Sequence, residues 1–310
     1  LLTASSILCR KFNEEKHYAS AGKHFLLLKE LAIKKNKGFA WGLRFKFTTR
    51  FVQADEVTPN LFNTVNALNS LLDFYLLSKE KSNDEVCGEV EFLIQRGLNY
   101  IFYDLGFSEN NNEVTWNYWE NLEAKIFNVN ALMVGLLSRC QNIFNSNGYD
   151  VLINKTINFL KNSQNENGSW YYSNDGKGNF IDGFHSGYIL EALSVASLNG
   201  FVFEKKFFEK GAMFFLKNFF TEDYLPKYFH DKLYPLDGQN FAQAVQTLFY
   251  LNKLNYVEKD FLHKVFENAD KMLWNNKGYY NYMKSKYFFY KMPMDRWVNA
   301  PMYLALSYIA

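Results

Sequence analysis

The sequence predicts an all-α protein of the α/α toroid class, and three observations support that prediction. The 310 residues include only 5 Pro and 17 Gly, which are few for the many turns of an all-β chain of this length. A helical segment recurs about every 57 residues along the chain. Amphipathic segments of helical period separate the recurrences, so that inner and outer helices alternate.

The recurring segments are apolar on nearly every face and contain interspersed Ala, Gly and Ser. They begin at Asn63, Asn128, His185, Asn240 and Val298, and a leucine occupies the same place in each of them, at Leu71, Leu136, Leu193, Leu248 and Leu306. Such a pattern indicates a buried inner helix that lets its neighbours approach closely. Residues 1–12 are predicted as a sixth inner helix.

The outer helices are predicted from segments that carry Lys and Glu on one face. They are expected over residues 24–35, 89–102, 151–162, 207–220 and 260–273. Five or six hairpins of one inner and one outer helix close into a ring in an α/α toroid, and an open solenoid of hairpins is the alternative. We expect a single domain over residues 1–310, with a longer natural chain left open because residue 1 is not Met.

Charge and cysteine content exclude several classes of function. The 34 Lys and Arg nearly balance the 32 Asp and Glu, so no basic face for nucleic acid is expected. No apolar run reaches the ~18 residues of a membrane span. Cys9, Cys87 and Cys140 lie far apart, outside any zinc-site spacing, and their sparse use is typical of a cytoplasmic protein. We therefore assign no metal ligands and expect no cofactor and no transmembrane segment, while a Ca²⁺ or Mg²⁺ ion bound by carboxylates stays open because it needs no recognisable motif.

The connectors before the inner helices are long, aromatic and charged, and in a ring they gather at one mouth. Aromatic residues make up 19% of the chain, and rings with polar edges stack well on sugars. The residues predicted to bind a substrate there are Trp41, Arg44, Arg50, Trp116, Trp119, Asn128, Trp170, Tyr171, Tyr228, Tyr234, Asn240 and Trp297. For two or three of the tryptophans, packing onto the rim is the alternative.

Five stretches resemble, in order from about residue 40 to 310, a family of bacterial proteins from exopolysaccharide and capsule gene clusters. They read AWGLRFKFTTR, WNYWENLEAKIFNVNALMVGLLSR, NGSWYYSNDGKGNFIDGFHSGYILEAL, KYFHDKLYPLDGQNFAQA and MPMDRWVNAPMYLALS. The family is related by fold to prenyltransferases and terpenoid cyclases. The resemblance implies an α/α toroid that builds or modifies a surface glycan, free or lipid-linked, in association with capsule-synthesis enzymes. The chain departs from the family at Arg44–Phe47, where an aromatic residue followed by Asp is usual.

Asp182 and His185 stand three residues apart in IDGFHSGY. A histidine whose tautomer is set by a carboxylate can transfer a proton near neutral pH. The alternative is a helix N-cap followed by a hydrogen-bonded core histidine. Asp237 holds the corresponding place in the next repeat. It is either another cap or the second of two carboxylates that act as acid and base across a glycosidic bond.

Tyr228, His230 and Tyr234 form a second cluster, in KYFHDKLYP. Tyr and His are the groups that move a proton α to a uronate carboxylate, as in lyases and C5 epimerases. Arg296, or an arginine of the first connector, could bind that carboxylate, although Arg296 could instead pair with Asp295. The sequence thus predicts a glycoside hydrolase, polysaccharide lyase or uronyl epimerase. The alternatives are a non-catalytic glycan-binding scaffold of a synthase complex and a toroid that binds an isoprenoid carrier.

Overall fold

The computed structural model describes residues 1–48, 53–120, 125–176 and 178–310. They group into two compact units, Leu2–Lys125 and Ile126–Ala310, the latter together with Leu1. Both units are built from helices joined by connectors that contain short strands, which confirms the all-α class. That the two units form a single domain stays a prediction.

Among its described residues, the N-terminal unit contains four helices and three two-stranded antiparallel sheets. The helices are α1 (Leu2–Phe12), α2 (Glu15–Glu30), α3 (Leu61–Glu80) and α4 (Asp84–Asn99), and α4 continues into a π-helical turn over Tyr100–Leu105. The sheets pair β1 (Ile33–Lys34) with β2 (Phe39–Ala40), β3 (Phe47–Thr48) with β4 (Gln53–Ala54), and β5 (Phe107–Glu109) with β6 (Val114–Trp116). The inner helices α1 and α3 pack together, and α2 and α4 cover them.

The C-terminal unit continues the alternation with seven helices. They are α5 (Phe127–Phe144), α6 (Asp150–Asn162), α7 (Gly183–Leu198), α8 (Lys205–Asn218), α9 (Gly238–Lys253), α10 (Lys259–Leu273) and α11 (Ala300–Ile309). A π-helical turn over Asp295–Asn299 precedes α11. Four strands, β7 (Leu236–Asp237), β8 (Trp274–Asn275), β9 (Tyr279–Lys284) and β10 (Phe289–Pro293), form an antiparallel sheet in which β9 lies between β7 and β10. The inner helices α5, α7, α9 and α11 pack against one another in succession.

The predicted helices are found, and one is displaced along the chain. The helix expected over residues 24–35 is α2, which begins at Glu15 and ends at Glu30. The remaining residues of that segment leave the helix because Ile33 pairs with Ala40 in a short antiparallel sheet. In α4, Asn83 accepts a hydrogen bond from the N–H of Val86, so this cap starts the helix before the predicted residue 89. None of the helices in the described parts of the chain is long and apolar enough to cross a membrane.

The close approach of α5 and α7 depends on small residues, as the sequence predicted. A Cβ placed on Gly135 would lie 3.2 Å from the carbonyl oxygen of Ala192 and 3.4 Å from its Cα. Backbone atoms cannot swing aside as a flexible side chain can, so a larger residue at Gly135 must push the two helices apart. The N-terminal ends of these two helices meet at the candidate site, where the connectors that precede them come together.

Gly135→Leu is therefore expected to destabilise the protein by about 1–3 kcal/mol through overpacking. The measurement is the free energy of unfolding from urea titration. Gly88→Leu is the matched control, because nothing lies within 4 Å of a Cβ placed on Gly88 in α4. The control should gain up to about 1 kcal/mol from helix propensity. Equal effects of the two substitutions would contradict the tight α5–α7 contact.

Candidate functional site

One connector joins the N-terminal ends of α7 and α9. Within residues 226–230, the carbonyl oxygen of Tyr228 accepts a hydrogen bond from the N–H of Gly183 at 2.9 Å. The carbonyl oxygen of Lys227 accepts one from Nδ2 of Asn240 at 3.1 Å. Gly183 permits this arrangement, since a Cβ there would lie 2.6 Å from Oδ1 of Asn240. The two helix starts are thereby fixed next to each other.

Asp182 is the N-cap of α7, and both of its carboxylate oxygens bond to His185. Oδ1 accepts the backbone N–H of His185 at 2.7 Å, and Oδ2 accepts Nδ1–H of the same imidazole at 2.6 Å. Asp182 is only 2% exposed, whereas 22% of the His185 side chain is exposed. Because the carboxylate holds Nδ1, Nε2 is the nitrogen that can exchange a proton with a substrate.

Aromatic rings enclose the imidazole of His185 on several sides. The ring centroids of Phe184 and Tyr172 lie 4.2 Å and 4.6 Å from it, and Tyr172 stacks on Phe180 at 5.1 Å. The carbonyl oxygen of Tyr172 accepts the N–H of Phe127 at 3.2 Å, which brings the start of α5 to the same place. The site therefore gathers the N-terminal ends of three inner helices, where the helix dipoles favour negative charge.

Asp237 is the N-cap of α9 and lies next to the same connector. Its Oδ1 accepts the N–H of Asn240 at 3.1 Å, and its side chain is buried. Burial raises the pKa of Asp237 to about 6, although hydrogen bonds from the backbone of Asn240 and Gln239 oppose that increase. A carboxyl group with this pKa still carries a proton near pH 6 and can donate it to a leaving group.

The phenol of Tyr228 lies within electrostatic reach of both carboxyl groups. Burial, together with the smaller effect of the negative charges of Asp237 and Asp182, raises the pKa of Tyr228 to about 12. Tyr282, in β9, also has a raised pKa, from burial and then from the charge of Asp237. Tyr228 thus stays protonated at neutral pH and can donate a hydrogen bond or a proton.

His230 belongs to the same connector but turns toward the backbone. Its N–H donates to the carbonyl oxygen of Ile181 at 3.3 Å, and its Nδ1 lies 3.4 Å from that oxygen. The imidazole centroid is 6.0 Å from the ring of Phe214 in the outer helix α8. The structure therefore places His230 one residue from Asp182 along the paired backbone, as a support of the connector.

Arg296 and Trp297 lie in the π-helical turn that precedes α11, and both are exposed. Val298 in this turn is buried against the start of α9, because a Cβ on Gly238 would lie 2.4 Å from Cγ1 of Val298. Gly238 directly follows Asp237. The turn with Arg296 and Trp297 therefore lies at the same helix start as the candidate acid.

Four tryptophans that the sequence assigned to sugar stacking are buried, which corrects those assignments. Trp41 donates its indole N–H to the carbonyl oxygen of Leu28 at 2.8 Å, and Trp170 donates to that of Leu160 at 2.9 Å. Trp41, Trp116, Trp119 and Trp170 are between 1% and 6% exposed, so they hold connectors onto helices and leave no ring face for a sugar. Tyr171, Tyr234 and Trp297 remain exposed.

The remaining predicted residues divide between the two units. Asn240 is buried, and its amide donates a hydrogen bond to the connector backbone, so it helps to position the two helix starts. Asn128 is buried near the start of α5, and its Oδ1 has no hydrogen-bond partner among the described residues. Arg44, in the N-terminal unit, is partly exposed with a left-handed backbone at φ 60°. Arg50 lies outside the described residues.

Two residues of α7 that the sequence reasoning missed extend the polar row inward. Tyr188 is hydrogen-bonded to Gln239, and Oε2 of Glu191 accepts Nε2–H of Gln243 at 2.6 Å. Desolvation raises the pKa of Glu191 to about 7, although the hydrogen bond from Gln243 opposes that increase. Asp182, His185, Tyr188 and Glu191 recur every three residues in IDGFHSGYILEAL, and this spacing within an apolar helix was the available signal.

The alternating helices and the connectors gathered at the inner-helix starts are those of an α/α toroid. Within the residues that the structure describes, no group of three His, Cys, Asp or Glu side chains is arranged to hold a metal ion. No protein-family model matches the sequence, and no curated protein sequence matches it either.

Solved structures of similar fold cover nearly the whole chain. Cellobiose 2-epimerase from Bacillus thermoamylovorans matches 99% of this chain and 84% of its own, with a TM-score of 0.66 and 13% identity. A GH76 α-mannanase from Bacteroides thetaiotaomicron matches 99% of this chain and 82% of its own, with a TM-score of 0.67 and 12% identity. A family 88 glycosyl hydrolase from Bacteroides vulgatus matches 99% of this chain and 88% of its own, with a TM-score of 0.62 and 9% identity. At these identities the matches show the fold, which is the α/α toroid.

Trp170→Ala is expected to lower the free energy of unfolding by about 3–5 kcal/mol, because it empties a buried site and leaves the carbonyl oxygen of Leu160 without its donor. Trp170→Phe should cost clearly less. Trp297→Ala, at an exposed position, is the control and should cost less than about 1 kcal/mol. Urea denaturation measures all three. A Trp170→Ala protein as stable as the control would restore Trp170 as a candidate sugar contact.

Asp237→Asn is expected to stabilise the protein at neutral pH. The folded chain binds the Asp237 proton more tightly than the unfolded chain, so stability falls as pH rises from about 4 to about 6 and then stays low. Asn keeps the helix cap without the charge. The gain over the native protein should approach ~3 kcal/mol at pH 7.5 and vanish near pH 4.

The measurement is urea denaturation of both proteins at pH 4, 5, 6 and 7.5. Asp84→Asn is the matched control, because this exposed aspartate stands in the first turn of the outer helix α4. At this exposed position the substitution should not gain stability as the pH rises. A pH-independent difference for Asp237→Asn would show that its carboxyl group is not desolvated.

Proposed function

We propose that the protein is a carbohydrate-active enzyme that transfers protons on a glycan, with His185 as base and Tyr228 or Asp237 as acid. The observation that carries the proposal is the 2.6 Å hydrogen bond between Oδ2 of Asp182 and Nδ1 of His185. It fixes the imidazole with Nε2 available, beside a buried carboxyl group of raised pKa. This pairing of an oriented base with a protonated acid is what acid–base catalysis requires.

The bonding of Asp182 changes the role that the sequence suggested for it. Hydrolysis by two carboxylates needs one of them free to act as nucleophile or to activate water. Both oxygens of Asp182 instead bond to His185, and the side chain is almost fully buried. Asp182 therefore acts as the residue that orients His185, and the base is the histidine.

Abstraction of a proton α to a uronate carboxylate fits this arrangement best. His185 Nε2 removes the proton, and Arg296 is the nearby candidate to bind the carboxylate by a paired hydrogen bond. In a lyase, the C4–O bond then breaks and Tyr228 or Asp237 protonates the departing oxygen, which gives an unsaturated uronate and a new reducing end. In an epimerase, a proton returns to the opposite face of the same carbon.

Glycoside hydrolysis is the second candidate, and the raised pKa of Asp237 favours it. A carboxyl group with a pKa of about 6 is a suitable general acid for a glycosidic oxygen, and His185 could activate the water. Structures of the same fold are named as an epimerase, a mannanase and a glycosyl hydrolase. These names support a glycan as substrate and leave the reaction to experiment.

The substrate that we propose is a bacterial surface polysaccharide, free or lipid-linked. The support is the resemblance of five connector segments to proteins of capsule and exopolysaccharide gene clusters. The sparse use of cysteine supports a cytoplasmic location, and the resemblance supports an association with capsule-synthesis enzymes. A scaffold that only binds glycans would bind the polymer with the same affinity after loss of His185 and would form no product.

The test is incubation of the protein with polyuronates and with bacterial capsular polysaccharides. An unsaturated-uronate absorbance identifies a lyase, solvent deuterium at C5 an epimerase, and new reducing ends without absorbance a hydrolase. Asp182→Asn should lower the rate by about 10³–10⁴-fold, because the amide keeps the helix cap but favours the wrong imidazole tautomer. His185→Gln should lose at least as much, and Tyr228→Phe about 10²-fold.

Asn83→Ala is the matched control, because Asn83 caps α4 as Asp182 caps α7. It should lose about 1 kcal/mol of stability and no activity. If Asp182→Asn or His185→Gln turned over substrate at the native rate, the dyad would not be the base and the proposed function would be rejected.

A further inference from the structure

The turn between β9 and β10 exposes aromatic side chains to solvent. In this segment, residues 284–291, Tyr287 is 79% exposed, Phe288 68% and Tyr290 43%. The turn itself is well formed, since the Ser285 N–H donates to the carbonyl oxygen of Phe288 at 2.8 Å. Apolar rings held out by a hydrogen-bonded turn mark a binding surface, because single exposed rings are common but contiguous ones are not.

The same hairpin is positively charged without compensation. It contains Lys284, Lys286 and Lys291, and residues 271–294 include no Asp or Glu. Among the described residues none of these three lysines pairs with a carboxylate. Two of the three lie close to aromatic rings, at 5.4 Å between Nζ of Lys286 and the Tyr287 centroid and at 5.4 Å between Nζ of Lys291 and the Phe289 centroid.

The hairpin is continuous with the candidate site through the register of the sheet. Asp237 pairs with Met283 of β9, and Met283 pairs with Tyr290 of β10. Two strand spacings, about 10 Å, therefore separate the backbone of the candidate acid from that of an exposed hairpin ring. β10 then leads directly into the π-helical turn of Arg296, which is packed on the start of α9.

We infer that the 284–291 hairpin is a subsite for an acidic sugar unit of the polymer whose neighbouring unit occupies the Asp182–His185–Asp237 site. Exposed rings flanked by lysines match a uronate, because the rings can stack on its apolar face and the lysines can bind the carboxylate at its edge. The inference rests on the proposed function for the presence of a glycan, and it adds a second binding site that holds the acidic unit next to the one that reacts. Anionic polymer is preferred to a lipid surface because the cationic strip runs toward the buried acid.

The experiment measures binding of His185→Gln protein, which does not consume the probe, to polygalacturonate and to dextran of equal chain length. Affinity electrophoresis at low and high salt gives both dissociation constants. Polygalacturonate is expected to bind about tenfold tighter than dextran, with the preference lost in high salt. A Lys284→Gln/Lys286→Gln/Lys291→Gln variant should bind polygalacturonate about tenfold more weakly, and its affinity for dextran should hardly change.

Tyr287→Ala/Phe288→Ala should weaken the binding of both polymers several-fold, because stacking does not depend on charge. The charge-matched control replaces Lys206, Lys210 and Lys217 of α8, all exposed, by Gln. It should change polygalacturonate binding less than about twofold. If the hairpin and α8 variants lost equal affinity for polygalacturonate, net charge alone would explain the binding, and the subsite would be overturned.

Three other results would also overturn the inference. They are equal affinity for both polymers, binding to phosphatidylglycerol vesicles without binding to polygalacturonate, and concentration-dependent dimerisation that Tyr287→Ala/Phe288→Ala abolishes. Failure of the proposed function looks different. In that case His185→Gln keeps the native activity whatever the hairpin variants do, whereas failure of the subsite leaves the loss of activity in His185→Gln unchanged.

Discussion

The carboxylate of Asp182 is the group on which the site depends, because its two oxygens perform two tasks. One oxygen caps the N-terminus of α7 by accepting the backbone N–H of His185, and the other holds the imidazole of His185 in a single tautomer. A buried charge is costly unless it is fully hydrogen-bonded. Here the helix start and the imidazole provide that compensation together, and the positive end of the helix dipole adds to it. The geometry of the base is therefore a consequence of how the helix begins.

Asp237 shows the opposite balance of stability and reactivity at the neighbouring helix start. It has the same capping role, but no imidazole compensates its charge, and its pKa rises to about 6 through burial. The same burial that makes the carboxyl group a suitable acid costs folding free energy at neutral pH. The two aspartates thus diverge in function because the imidazole of His185 bonds to Asp182, whereas the hydrogen bonds to Asp237 come from the backbone of its own helix. Environments that separate two carboxyl groups in this way are typical of acid–base sites.

Periodicity was enough to predict the helices, and it failed where tertiary contacts decide. The segments predicted over 151–162 and 260–273 match α6 and α10 to within one residue, since an amphipathic stripe on a covered helix has clear ends. The displaced α2 depended on the pairing of Ile33 with Ala40, which a helical pattern cannot show. The buried tryptophans were misassigned because sequence does not say whether a connector ring faces its own helix or the solvent. The Asp182–His185 pair was predictable because both residues belong to one helical turn.

The glutamines that face α7 explain how its polar row lies inside an otherwise apolar packing of helices. Gln239 and Gln243 stand one turn apart on α9 and meet Tyr188 and Glu191, which stand three residues apart on α7. An amide donates a hydrogen bond without bringing a full charge, so it satisfies the glutamate but leaves its pKa near 7. A lysine or arginine in the same place would hold the carboxylate ionised. The contact between the two helices therefore keeps a second titratable acid two turns from His185, because desolvation raises the pKa of Glu191 and the neutral amide of Gln243 opposes that increase only in part.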